Sequence, residues 1–159
     1  MKKDFAAFLH QAMLVDPRYF LVTADLGYKL FDEIKRDFPN RFVNTGAAEM
    51  GALGLCVGLA LEGKIPVFYS ISTFAIYRPF EVIRNYLHHE QISVKIVGSG
   101  QDKDYEKDGY SHWDLESRDI LKHLKIKTYY PDLALVDDMN KLFREFLYNG
   151  KPSFMALKK

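Results

Sequence analysis

The sequence predicts an α/β fold, a single doubly wound domain with a mostly parallel sheet and helices on both faces. Two patterns carry this. Strand-length apolar runs alternate with segments of helical periodicity along the chain, and those runs are close to continuously apolar, as in strands covered on both sides. The size agrees: 159 residues, 48% of them hydrophobic, suit one core.

The elements follow in order. Phe5, Phe8, Leu9, Ala12 and Met13 recur at helical spacing and predict a first helix, and Tyr19-Phe20-Leu21-Val22-Thr23 predicts a buried strand ending at Asp25. A loop or short helix carries Tyr28 to Phe38, and Phe42-Val43 is a short strand. Ala48 to Leu61, rich in glycine and small residues, reads as a helix able to pack closely against other backbone. Ile65 to Ser70 is a strand, Phe74 to His89 a helix, and Ser93 to Val97 a strand that feeds a long polar loop from Gly98 to Ser111. Loops of that length are often functional. A helix from about Asp114 to Leu124, a strand Lys127 to Tyr130, a helix Leu133 to Leu147 and a closing strand Ser153 to Leu157 complete the alternation.

Charge excludes some partners. With 22 basic against 21 acidic side chains, no net field draws the protein to nucleic acid or to an anionic membrane. The single cysteine, Cys56, lies in an apolar run and reads as a small packed hydrophobe in a reduced, cytoplasmic setting. Met1-Lys2-Lys3-Asp4 is followed by an interrupted apolar stretch, so neither a signal peptide nor a membrane span is expected.

A few residues stand out chemically. Glu49 is the one acid at the head of an apolar stretch reaching Leu61. A buried carboxylate requires a partner, so Glu49 either caps the helix that follows or serves chemistry. Phe74 and Tyr77 lie three apart on one helical face, a core stripe or an aromatic wall. Asp25 ends a strand, where an acid begins a turn or accepts a hydrogen bond in a cleft. His112 carries an imidazole, a group suited to proton transfer, and with Asp108 it falls in the long loop. In an open parallel sheet, ligand groups gather beyond the carboxyl ends of the strands, which is where these residues fall. Gly98-Ser99-Gly100 lacks the third glycine and the following helix of a phosphate loop.

Taken in sequence order, Ala24-Asp25-Leu26, Pro39-Asn40-Arg41-Phe42, Gly46-Ala47-Ala48-Glu49, Gly58-Leu59-Ala60-Leu61-Glu62-Gly63-Lys64-Ile65-Pro66, Arg78-Pro79-Phe80-Glu81-Val82-Ile83-Arg84 and Asp108-Gly109-Tyr110-Ser111-His112 resemble the pyrimidine-binding domain of transketolase-family, thiamine-diphosphate-dependent enzymes. The resemblance covers nearly the whole chain. It implies that Glu49 hydrogen-bonds the pyrimidine ring and favours its imino tautomer, that Phe74 and Tyr77 wall the ring, that Asp25 lies at the cofactor, and that Asp108 and His112 meet substrate. Arg78 and Phe80 are read as packing or a surface ion pair, outside the site. Other positions depart from the family: Gly100 stands where a histidine is usual, Lys29 near a frequent serine, and the amino-terminal arginine that holds sugar phosphates has no clear equivalent.

The family's diphosphate and metal ligands, a Gly-Asp-Gly followed after a spacer by an asparagine, are not found in this sequence, and neither is its carboxy-terminal domain. The resemblance therefore implies one pyrimidine-binding domain over residues 1–159, working as a subunit of a split transketolase-like transferase. A diphosphate-binding partner chain would hold Mg2+ or Ca2+ and share the thiamine diphosphate, with this chain contributing no metal ligand. A two-carbon ketol unit would pass between sugar-like substrates, in a homodimer or heterotetramer. The alternatives are a subunit of a 2-oxo-acid decarboxylase or dehydrogenase, and a non-catalytic assembly module.

Overall fold

A computed structural model describes residues 1–131 and 138–158. The chain runs through α1 (Lys2–Val15), β1 (Tyr19–Thr23), α2 (Asp32–Asp37), β2 (Phe42–Asn44), α3 (Glu49–Leu61), β3 (Ile65–Ile71) and α4 (Ser72–Tyr77). It continues with α5 (Phe80–Val82), prolonged as a π-helical segment Ile83–His89, then β4 (Lys95–Ser99), α6 (Ser117–Lys122), β5 (Lys127–Tyr129), α7 (Met139–Tyr148) and β6 (Ser153–Leu157). The strands form a six-stranded sheet in the order β2-β1-β3-β4-β6-β5, every pairing parallel.

Successive strand residues point to opposite faces and so divide the core in two. Leu21, Val67, Tyr69, Val97, Met155 and Leu157 meet α1 and α7 on one side. Val22, Phe68, Ile96, Phe154 and Ala156 meet α3, α4 and α6 on the other. The inner strands β1, β3, β4 and β6 are covered on both faces, which explains their apolar runs. After β2 the chain crosses back over β1 to form β3, so the winding reverses at the β1/β3 boundary. That reversal opens a crevice at the carboxyl ends of the two strands.

Several boundaries differ from those the sequence predicts. The helix expected over Phe74 to His89 is broken at Arg78-Pro79, because Pro79 has no amide to donate back to the preceding turn. The strand expected at Ser93 to Val97 begins two residues later, at Lys95, in register with Val67 and Ser153. Lys95 is buried, and its ammonium donates to the Asn149 side chain at 2.7 Å and to the Lys151 carbonyl at 2.5 Å. The helix expected from Asp114 is confined to Ser117–Lys122. The start expected for the last helix, at Leu133, lies outside the described residues. Among the described residues, the glycines of α3 meet no backbone outside their own helix: a Cβ built on Gly51, Gly54 or Gly58 finds nothing within 4 Å. No described helix is long and apolar enough to cross a membrane.

Candidate active site

Glu49 is the first residue of α3 and is 3% exposed. The approach to it is a turn in which Gly46, at φ +66°, takes a left-handed conformation that residues with a Cβ adopt at a cost. Among the described residues, its carboxylate accepts hydrogen bonds from other elements rather than from the amides of α3. Arg78 Nη1 donates to both Oε1 and Oε2 at 2.8 Å, and Ser70 Oγ approaches Oε1 at 3.4 Å from the carboxyl end of β3. Between the two readings of this acid, the geometry disfavours the helix cap. A buried anion is tolerated here because two donors meet it, one of them charged.

Arg78, read from the sequence as packing or a surface ion pair outside the site, makes its ion pair with Glu49 itself. Its side chain is 44% exposed against 2% for Glu49, so it lies over the acid on the solvent side. Its guanidinium carbon is 3.6 Å from the centroid of the Phe74 ring, a cation–π stack. α4 ends at Tyr77, leaving Arg78 as its C-cap just before Pro79, and from there the side chain reaches back to the head of α3. Twenty-nine residues separate the partners, so no local spacing signals the pair.

Phe74 also meets His112, edge to face at 4.8 Å between ring centroids. His112 lies in a single 3-10 turn, Tyr110–His112, and its Nδ1 is 3.0 Å from Ser111 Oγ. The loop is fixed to α4 by Thr73, whose hydroxyl donates to the Ser111 carbonyl at 2.9 Å. Glu49, Arg78, Phe74 and His112 thus form one contiguous chain of contacts at the carboxyl edge of the sheet.

The other predicted residues lie apart from this chain of contacts. Tyr77 donates to Glu116 at 3.5 Å and lines a separate cavity of about 430 Å³ with Thr73, Tyr110, Trp113 and Glu116. Burial, with Asp114 and Glu116 nearby, pushes its phenol pKa up. Asp25 is exposed, accepts from the Tyr28 hydroxyl, and takes a left-handed φ of +48° that a short polar side chain tolerates. Asp108 is exposed in the 3-10 turn Glu106–Asp108.

Gly100, where a histidine was expected from the family, has a physical reason to be glycine. Its φ is +87°, and a Cβ there would meet Tyr105 Cδ2 at 2.6 Å and Cε2 closer still. The Tyr105 hydroxyl pairs with Ser99 Oγ at 2.6 Å and accepts from Lys2 Nζ at 3.2 Å. An aromatic ring therefore packs over the glycine, and its centroid is 6.3 Å from that of His112.

An all-parallel doubly wound sheet, with a buried acid opening one helix at the carboxyl edge and an arginine joining it to an aromatic ring, defines an α/β domain of the kind that takes a ligand beyond its strand ends. The sequence matches the transketolase pyrimidine-binding domain over residues 1–159, and the chain belongs to that family.

Among its relatives is a 33.6 kDa protein of the fasciation locus of Rhodococcoides fascians, 31% identical over 109 residues, which are 69% of this chain and 35% of that protein. Another is a 6-deoxy-6-sulfo-D-fructose transketolase subunit of a Clostridium species, 27% identical over 143 residues, 89% of this chain and 44% of that subunit. A solved split-gene transketolase, described as an inactive β4 tetramer, superposes with a TM-score of 0.81 at 25% identity, over 97% of this chain and 49% of that one. The chain thus spans less than half the length of each of these relatives.

Proposed function

We propose that this chain supplies the pyrimidine-binding half of a transketolase-like active site, that a partner chain supplies the diphosphate-binding half, and that together they transfer a two-carbon ketol unit between sugar-like substrates. The observation that carries the reading is the buried Glu49 carboxylate, linked through Arg78 to the Phe74 ring. These residues fit the flat, amine-bearing end of thiamine diphosphate: a carboxylate to hydrogen-bond a ring nitrogen and an aromatic face to stack on. They do not fit the charged end. The diphosphate and its Mg2+ or Ca2+ are assigned to the partner, a reading supported by relatives that are named as transketolase subunits.

Thiamine diphosphate, when bound, supplies the nucleophilic carbon for cleaving and forming the bond next to a carbonyl. This chain orients the pyrimidine. Glu49 offers the ring nitrogen a buried carboxylate, where a low dielectric makes the hydrogen bond strong. Phe74 fixes the plane of the ring. His112, held by the Thr73–Ser111 hydrogen bond, presents an imidazole to a substrate hydroxyl, Asp108 is assigned to the same substrate and Asp25 to the cofactor. Tyr105 over Gly100, in place of a histidine, supports a substrate other than the ordinary sugar phosphates. The relatives named as transketolase subunits and the split-gene tetramer support a self-associating chain that needs a second subunit.

The test is reconstitution. Mixed with a diphosphate-binding subunit, thiamine diphosphate and Mg2+, the chain is expected to transfer ketol units, and Glu49→Gln to remove most of that activity while the assembly stays intact. Unchanged turnover in Glu49→Gln would reject the reading.

A further inference from the structure

Arg78 makes the two contacts that a flat aminopyrimidine would make in this pocket. Its Nη1 is hydrogen-bonded to both Glu49 oxygens at 2.8 Å, and its guanidinium carbon lies over the Phe74 ring, 3.6 Å from the centroid. A planar cation with N–H donors along one edge reproduces the shape and hydrogen-bonding pattern of the heterocycle. Both cannot hold the same carboxylate and the same ring face at once. Arg78 is also the outer member of the pair, 44% exposed over an acid 2% exposed, so a ligand arriving from the cleft meets it before it meets Glu49.

We propose that Arg78 is a built-in competitor for the pyrimidine site, a side-chain gate that stacks on Phe74 and holds Glu49 until the heterocycle displaces it. The proposal rests on the pyrimidine-binding reading and adds to it that cofactor capture requires rotation of this one side chain. The means for that rotation are present. Arg78 is the last residue before Pro79, its side chain is half open to solvent, and its partners among the described residues are those it would yield. The apparent affinity of a ligand falls by the fraction of molecules in which the site is open, so a closed gate weakens binding without altering any contact of the bound state.

The probe is 4-amino-5-hydroxymethyl-2-methylpyrimidine, the heterocycle without thiazolium or diphosphate, titrated into the full chain and followed by NMR shifts of Gly46 and Phe74. Arg78→Gln, whose amide can still donate to Glu49, and Arg78→Ala are compared with the parent, with thermal unfolding confirming that each is folded. At least tenfold tighter binding in Arg78→Gln, lost again in Arg78→Gln/Glu49→Gln, is the expected result. Equal or weaker binding in both Arg78 variants would overturn the gate and leave the pyrimidine reading standing. Absence of binding in parent and variants alike would also overturn the gate, and the reconstituted Glu49→Gln assay would then decide the function independently.

Discussion

Restoring the family's histidine at position 100 is expected to harm this protein, and the structure sets the scale. Gly100 sits at φ +87°, and a residue with a Cβ in that region costs about 1–3 kcal/mol. The new Cβ also lies 2.6 Å from Tyr105 Cδ2, inside contact distance, and the ring is held at its hydroxyl by Ser99, so it moves only by breaking that hydrogen bond. Overpacking of this kind adds about 1–3 kcal/mol. The sum for Gly100→His is about 4 kcal/mol, and at roughly 2–4 °C per kcal/mol for a domain of this size the melting temperature should fall by about 10 °C. The assay is thermal unfolding by circular dichroism, run as a cycle with Tyr105→Ala. Removing the ring should return the packing part of the loss, about 2 kcal/mol of coupling, and leave the backbone part. A Gly100→His protein melting within about 2 °C of the parent, or a cycle with no coupling, would refute the reasoning that Tyr105 and a left-handed backbone together exclude the histidine.

Three further outcomes are expected. Glu49→Gln in the reconstituted enzyme should lower turnover by roughly a hundredfold or more, the scale of losing a positioned proton carrier, while thermal unfolding of the variant stays close to the parent. Lys95 should make stability rise with pH. Burial lowers its pKa to about 7 from an ordinary 10.5, so below pH 7 folded and unfolded chains both carry the proton and the cost of the buried cation is present in full. Between pH 7 and 10.5 only the unfolded chain keeps the proton, and stability gains up to about 1.4 kcal/mol per unit. Urea unfolding of the parent and Lys95→Met at pH 7 and 9.5 should therefore diverge in the parent's favour, and parallel curves would sink the assignment. Ser72→Ala should cost about 1–3 kcal/mol in the same assay, because the Ser72 hydroxyl donates to the Gly100 carbonyl where both are buried and the orphaned acceptor finds no water.

Strands β1 and β6 were legible to the residue because Tyr19–Thr23 and Ser153–Leu157 are apolar runs with polar or proline residues beside them, and burial on both faces leaves no alternation to misread. β4 was not. Ile92 to Val97 is an apolar stretch interrupted by Ser93 and Lys95, and only pairing with β3 and β6 decides which five residues join the sheet. Lys95 there reads as solvated by its type, yet the fold brings Asn149 and the Lys151 carbonyl to its ammonium. Glu49 was legible as an acid in need of a partner, because a lone charge heading an apolar helix must be met either by the helix's own amides or by a donor from elsewhere. Its partner was hidden, since Arg78 stands in a segment that reads as one continuous helix. The proline that ends α4 is local, but where the arginine reaches depends on how α3 and α4 pack on the same face of the sheet. Gly100 was noticed as a departure from the family, and its cause, a ring five positions along the chain, became visible only in three dimensions.

The Thr73–Ser111 hydrogen bond is flanked on one strand of contact by Phe74 and on the other by His112, each the very next residue. The hydroxyl therefore works as the pivot of a pair of calipers: the ring and the imidazole are its two jaws, and their opening is set from a point behind them both. A change at position 73 would alter the gap between jaws while leaving both of them chemically whole.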